Sequence, residues 1–292
     1  MNASGGWIIV SHEQRVENFY SSGLNRGSDA NLNKCDQGFL SFGYWEKDTK
    51  SYVEAANNLL EFFIINSEIK DAGKVLNVSC GYGTETIAFY RKFRPKTIEG
   101  IDITKVHVDC ANERAKQLGL EKNVIFRHGD ACNLDAYQNE SVSHILGIEG
   151  PANFRTRERF FMSAGRVLKS KGELILNDII LGERCRKIKK FHMPFFNMAI
   201  RQWVIPKENI VDEKRYVEQL KNAGFGKILI KRIGGKVFPG YSRNSLSLSA
   251  MRSRTLHRGL MTALGLAVIS YILGYLYRKG IIEYIFVRAQ KD

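Results

Sequence analysis

Between residues 74 and 233, short apolar runs alternate six times with helix-patterned stretches, and the joins are short. "KVLNVSC" (74–80), "KTIEGIDIT" (96–104), "NVIFRHGDA" (123–131), "SVSHILGIEG" (141–150), "GELILNDII" (172–180) and "GKILIKRI" (226–233) read as strands. "TETIAFYRKF", "KVHVDCANERAKQLG", "TRERFFMSAGRVLK" and "DEKRYVEQLKNAG" read as helices set among them. A near-continuous apolar run suits a strand buried on both faces. Strands joined through helices are parallel, with the helices packed above and below. The expectation is an α/β fold with a doubly wound, mostly parallel sheet. "SYVEAANNLLEFFIIN" (51–66) has apolar residues at helical spacing, and "EQRVENFY" is a shorter helical stretch before it. With 292 residues, 44% of them hydrophobic, the chain can bury the core of one large domain or of a core plus a lid. The expected division is an N-terminal lid with helices (1–66), a ligand-binding core (67–182), an insertion (183–211) and the end of the sheet (212–292), which includes an apolar helix at 258–279.

Open parallel sheets hold ligands beyond the carboxyl ends of their strands. The first strand runs into Ser79-Cys80-Gly81-Tyr82-Gly83. Glycines there let the backbone approach a ligand, and the following helix offers unpaired N–H groups. The second strand ends at Asp102 and Ile103, where an acid can accept from both hydroxyls of a ribose. The third ends at Asp130 and Ala131, a place for an adenine amino group, and the fourth at Ile148 and Glu149. A GxG alone is only a tight turn, and an isolated Asp after a strand is usually a helix cap. Four successive strand ends carrying the expected residue types weigh more than any one. No third glycine follows Gly83, and Glu85 would place an anion beside a pyrophosphate. Both features disfavour a dinucleotide and favour a ligand with ribose, adenine and a positive charge but no phosphate.

These residues resemble the class I S-adenosylmethionine-dependent methyltransferases over roughly residues 15 to 235. "VLNVSCGYGTET" is similar to that family's first motif, VLDVGCGxGxxT; "GIDIT" resembles its ribose-binding strand end and "HGDACNL" its adenine-binding one. "SVSHILGIEGPANFRTRERFFMSAGRVLKSKGELILNDI" resembles the segment written FD-x-V…RVLKPGG-x-L-x-x-D. "DQGFLSFGYWE" (36–46) resembles the stretch before the core in methyltransferases of small and lipophilic acceptors, of the sterol, tocopherol, phosphoethanolamine and macrolide type. The resemblance implies a seven-stranded, Rossmann-like methyltransferase fold with a helical lid. It also implies S-adenosyl-L-methionine as cofactor, S-adenosyl-L-homocysteine as product, and no metal. Carried over position by position, Gly81 and Gly83 lie under the methionine part, with Ser79 in the same turn. Asp102 holds the ribose and Asp130 the adenine amino group, with Ala131 beside it; Ile103 and Ile148 are further cofactor-binding positions. Ser41 and Tyr44 sit near the carboxylate and sulfonium, and Tyr20 is a lid tyrosine closing the pocket. Tyr20 as a core aromatic is the plainer reading. The chain departs from the motif at Asn77, where an acid is usual, which implies weaker cofactor binding. It departs again at Ser79, where glycine is usual and serine fits only at negative φ.

Methyl transfer from a sulfonium depends on positioning and desolvation, and a hydroxyl acceptor also needs a base. Glu149 is the first candidate for that base, or for stabilising a carbocation; a purely orienting role is the alternative. Related enzymes often carry a histidine shortly afterwards, where this chain has Asn153. His192 lies in the insertion and reads as a packed side chain. "FHMPFFNMAIRQWVIP" (191–206) is rich in Phe, Met and Trp and suits an adaptable apolar pocket or a packed lid. No [DNS]PP[YFW] motif follows the fourth strand, so nucleobase and glutamine amino groups are disfavoured as acceptors. The expected partner is a small lipophilic acceptor, with S-adenosylmethionine-dependent transfer as the function.

Charge separates the two halves of the chain. Residues 1–150 hold 16 Lys+Arg and 20 Asp+Glu, whereas residues 151–292 hold 28 and 10. A basic half can meet an anionic membrane surface, and without a recognised RNA module nucleic acid is disfavoured. The rival to an enzyme is a non-catalytic binding module of the same fold, whose basic half holds anionic lipid or RNA. "LMTALGLAVISYILGYLY" (260–277) has no charge over 18 residues. It is long enough to span a bilayer, to lie in its interface, or to pack in the domain. Packing is preferred, because "IIEYIFVRA" after it alternates as a final antiparallel strand. Five scattered cysteines without a CxxC pair indicate reduced thiols and no zinc site. A cytoplasmic protein, peripheral or anchored at a membrane through 258–279, is the expected localisation.

Overall fold

The computed structural model describes residues 10–21, 38–70, 72–185 and 192–292. Cys35, the start of the "DQGFLSFGYWE" stretch and most of the basic run at 183–192 fall outside them. One seven-stranded sheet, in the order β3-β2-β1-β4-β5-β7-β6, carries the molecule. Its strands are β1 Lys74–Val78, β2 Thr97–Asp102, β3 Val124–His128, β4 Val142–Ile148, β5 Leu168–Leu181, β6 Phe225–Arg232 and β7 Ile282–Lys291. All pairings are parallel except those of β7, which runs antiparallel between β5 and β6. The order reverses between β1 and β4, so the crevice beyond their carboxyl ends is where a ligand belongs.

Side chains leave each strand alternately to two cores. Val75 joins one and Leu76 the other; Tyr284 and Phe286 of β7 point to the first, Ile285 and Val287 to the second. Helices α5 (Arg157–Val167) and α7 (Glu213–Asn222) cover the second core, while α2 (Tyr52–Ser67), α3 (Thr84–Phe93), α4 (Lys105–Gln117), α6 (Met193–Gln202) and α8 (Gly234–Ser245) cover the first. Several start where the sequence supplies a cap: Ser51, Thr156 and Asp212 each accept from the backbone N–H three residues on.

A short α1 (His12–Ser21) lies at the carboxyl end of the sheet, and α8, α9 (Leu248–Arg258) and α10 (Leu260–Arg278) form a helical annex before β7. The sequence reading has only the last of these. Gly234, Gly235 and Pro239 are poor helix formers, yet α8 runs through Pro239. Packing outweighs propensity here: a Cβ on Gly240 would fall 2.1 Å from Trp45, so the glycine is what lets that indole seat on α8. Trp45 N also donates to Lys236 O at 2.6 Å, which ties the "GYW" stretch to the annex. Helix α10 packs one face on α8 and α6, and a Cβ on Gly274 would come within 2.8 Å of Ser242. Cys80 and Cys132 are free thiols as expected, whereas Cys110 is disulfide-bonded, against the expectation of reduced thiols.

Candidate active site

A cavity opens at the carboxyl ends of β1, β2, β4 and β5, closed above by α1 and by the loop 38–42. Its empty space is about 2090 Å³, mouth and adjoining solvent included.

One end is polar. Ser79, Gly81, Asp102, Ile103, Asp130, Ala131 and Ile148 all line it, brought together from four strand ends. Gly81 holds φ at +50°, and its N–H donates to Asp102 Oδ2 at 2.9 Å. Thr104 N donates to Oδ1 at 2.8 Å, and His107 Nδ1 lies 3.5 Å from the same oxygen. Burial pushes the Asp102 carboxyl up, but the His107 ring and the Thr104 and Gly81 amides outweigh it and hold it below its ordinary value. An ionised carboxylate with lone pairs to spare therefore faces the cavity. Asp130 Oδ1 accepts from Cys132 N at 2.8 Å, which leaves the other oxygen for a ligand.

Two expectations about the turn change. Ser79 adopts φ +54°, not a negative value. An L-residue there costs roughly 1–2 kcal/mol, and Gly150 makes the space: a Cβ at 150 would sit 2.0 Å from Ser79 Oγ. Gly83 does not line the cavity. It caps α3 at φ +79°, and a Cβ on it would strike Phe126 at 2.5 Å, so its role is to bring helix and strand together. Asn77 is likewise off the cavity, donating from Nδ2 to Thr86 Oγ1 at 2.7 Å and so fastening β1 to α3. Tyr44 is outside the lining too; its ring stacks on Phe62 with centroids 5.0 Å apart. Ser41 does line the cavity, and its carbonyl lies 2.7 Å from Tyr52 Oη.

The other end is apolar. Phe196, Ala199 and Trp203 come from α6 and its end, Tyr241 from α8, and Leu266, Ile269, Leu273 and Leu276 from α10. The Phe- and Met-rich insertion thus contributes a wall, while His192 stands outside it, its Nδ1 2.8 Å from Tyr275 Oη. The wall is braced from below. Arg157 and Asp178 are fully buried and 2.7 Å apart. Arg157 Nη1 also donates to Asn209 O, and Asn209 Nδ2 donates to the carbonyls of Ala152 and Phe154. The segment after β4 is thereby clamped to β5.

Glu149 sits where the two ends meet. Its Oε1 accepts from Phe42 N and Tyr284 Oη, both at 2.7 Å. Its backbone holds φ +62°, outside the usual region for a non-glycine. Burial pushes its carboxyl up to about 8, against those two donors, with Glu85 and Asp178 adding to the rise. Burial likewise raises Glu85, also in the lining, to about 7. Tyr20 lines the same junction; its hydroxyl is buried and pushed well up, with the charges of Glu149 and Asp102 adding to the shift. His12, Glu13 and His107 line the cavity without having been singled out in the sequence. His12 Nε2 lies 2.7 Å from Asn153 O, so a histidine does reach this neighbourhood, from α1. No group of three or more His, Cys, Asp or Glu with metal-binding geometry occurs among the described residues.

Comparison with known proteins agrees with this geometry. The model of the family described as a methyltransferase domain matches residues 69–228. Erythromycin 3''-O-methyltransferase of Saccharopolyspora erythraea is 28% identical over 202 residues, 68% of this chain and 65% of that protein. The 27-O-demethylrifamycin SV methyltransferase of Amycolatopsis mediterranei is 27% identical over 161 residues, 54% and 58% of the respective lengths. The chain thus spans under two thirds of the length of these curated relatives. A crystal structure of geranyl diphosphate C-methyltransferase from Streptomyces coelicolor A3(2), with S-adenosyl-L-homocysteine, superposes over 98% of this chain and 100% of that one. Its TM-score is 0.76 at 14% identity, a likeness of fold.

Proposed function

The chain belongs to the class I S-adenosylmethionine-dependent methyltransferases, and from that premise we propose that it methylates a hydroxyl on a small lipophilic acceptor, with Glu149 as base. The observation that carries the reading is the position of Glu149 at the junction of the polar and apolar ends.

The polar end fits the cofactor. Asp102 is ionised and shaped to accept from a vicinal diol, and Gly81 leaves the backbone open beneath the ligand. Burial raises the carboxyls of Glu85 and Glu149, and a sulfonium with an ammonium supplies positive charge that favours their ionised forms. When bound, S-adenosylmethionine supplies an electrophilic methyl group and leaves as S-adenosylhomocysteine. The apolar wall of α6 and α10 excludes water and holds the acceptor's hydrocarbon body. Glu149 takes the hydroxyl proton, while Phe42 N and Tyr284 Oη hold its Oε1 and leave Oε2 to turn toward the acceptor. Tyr20 covers the junction from α1. Positioning and desolvation supply most of the acceleration, and the base contributes about 10²–10⁴-fold. The names of the two curated relatives, an erythromycin 3''-O-methyltransferase and a 27-O-demethylrifamycin SV methyltransferase, support a hydroxyl acceptor.

The test is a calorimetric titration of S-adenosylmethionine and S-adenosylhomocysteine into wild type and Asp102→Ala. Saturable binding to wild type, weakened about 100-fold or more in the variant, is the expected outcome. A folded wild type that binds neither compound defeats the proposal and returns the chain to the rival reading of a binding module.

A further inference from the structure

The far side of the cavity wall is itself unusual. Helix α10 turns Ala263, Ala267, Ile269, Ile272, Leu273 and Leu276 inward. Its outward positions are Leu260, Met261, Leu264, Val268 and Tyr271, each 44–81% exposed. Their spacing of three and four residues puts them on one stripe about three turns long. Helix α9 adds Leu248 and Leu256, 79% and 82% exposed, with Arg252 between them at the same helical spacing. Soluble surfaces do not commonly keep so continuous an apolar patch without a partner.

Charge says which partner. Residues 219–282 contain eleven Lys+Arg and no Asp or Glu. Arg243, Arg252, Arg278 and Lys279 are exposed around the stripe. An apolar stripe on a stretch of chain that carries cations and no acid fits an anionic lipid headgroup layer over an acyl interior. A span is a different matter. Helix α10 is long and apolar enough to cross a bilayer, but its inner face is packed on α8 and α6. The chain then enters β7, which hydrogen-bonds to strands on both sides. Crossing the membrane would strip β7 from the sheet.

We propose that α9 and α10 dock this protein in the plane of an anionic membrane surface, with α10 separating the bilayer from the apolar end of the cavity. Helix α10 then has one face in lipid and the other against the acceptor. This rests on the methyltransferase reading only in naming a membrane-borne lipophile as the acceptor's source; the docking itself does not. The experiment is co-sedimentation of the full chain with phosphatidylcholine vesicles, with and without phosphatidylserine. Leu256→Glu/Met261→Glu is run beside wild type, and its thermal unfolding confirms that these exposed sites leave the fold intact. The expected result is retention on the anionic vesicles only, weakened by high salt, and about tenfold weaker or more in the double variant. Failure to sediment with anionic vesicles, equal retention on neutral ones, or an unaffected double variant overturns the proposal. So does light scattering that shows a dimer of wild type converted to monomer by the same two changes, since a second copy would then cover the stripe. S-adenosylhomocysteine titration of the same samples keeps the two ideas apart: cofactor binding without vesicle binding sinks the docking alone, and vesicle binding without cofactor binding sinks the enzyme alone.

Discussion

The polar and apolar ends of the cavity share one floor and differ in how they are made. The polar end is local. Each of its residues stands at the end of a strand, and backbone atoms such as Gly81 N and Thr104 N orient its main carboxylate. The apolar end is collective. Its wall comes from α6, α8 and α10, whose contributions are separated by up to 80 residues and are chemically interchangeable aliphatic and aromatic side chains. A site built at strand ends depends on individual atoms, whereas a wall of packed helices depends on volume. Substitutions should therefore act sharply at one end and gradually at the other.

Breaking the shared floor should have the largest effect. Arg157→Met leaves Asp178 buried and unpaired, and a loss of about 3–5 kcal/mol is expected, read from the urea midpoint; no loss would mean that the clamp is not what joins the two ends. At the junction, Glu149→Gln keeps the shape and removes the base. It should lower kcat by about 10²–10³-fold with cofactor affinity nearly unchanged. The sign of the pH dependence follows from the raised carboxyl. Glu149 ionises as pH rises through about 8, so wild-type kcat/KM should climb from pH 6 to pH 8 and level above it. The variant should lack that limb, and a variant with an unchanged profile removes Glu149 from the proton path. The smallest effect belongs to the wall. Leu273→Trp on α10 fills the apolar end, and a several-fold rise in KM for a bulky acceptor is expected, about the scale of a few methylenes. Titrated S-adenosylhomocysteine should bind as before. If cofactor affinity fell instead, the two ends would not be separable.

The same contrast explains what the sequence revealed. The alternation of strands and helices, the four strand ends and the final antiparallel strand are legible because each is written in a contiguous stretch. Asp102, Asp130 and Glu149, singled out at those strand ends, all line the cavity. Ser79 misled because the backbone shape it needs is provided by a missing side chain 71 residues later, at Gly150. Tyr44 misled because a motif names a neighbourhood and not the direction a ring points. His12, His107 and Tyr284 gave no signal: one histidine sits on a short helix, the other early in α4, and the tyrosine in an ordinary inward position of β7. Helix α8 was hidden by Pro239 and its glycines, whose use is to let Trp45 and Glu283 come close. The wall of α6 was half legible as a cluster of Phe, Met and Trp, without any indication of which faced the ligand.

Strand β7 has one more consequence. It lies between β5 and β6 although it follows both in the chain. When β6 is synthesised the place between it and β5 is still vacant, and it has nothing to pair with until sixty or so further residues, α8 to α10 among them, have emerged. The same strand carries Tyr284, the hydroxyl that holds Glu149 from 135 positions away. The strands before β6 can pair early on the ribosome, but the Glu149 carboxylate gains its second donor only when the last strand slots home. On this reading, completion of the fold and completion of the site are one event.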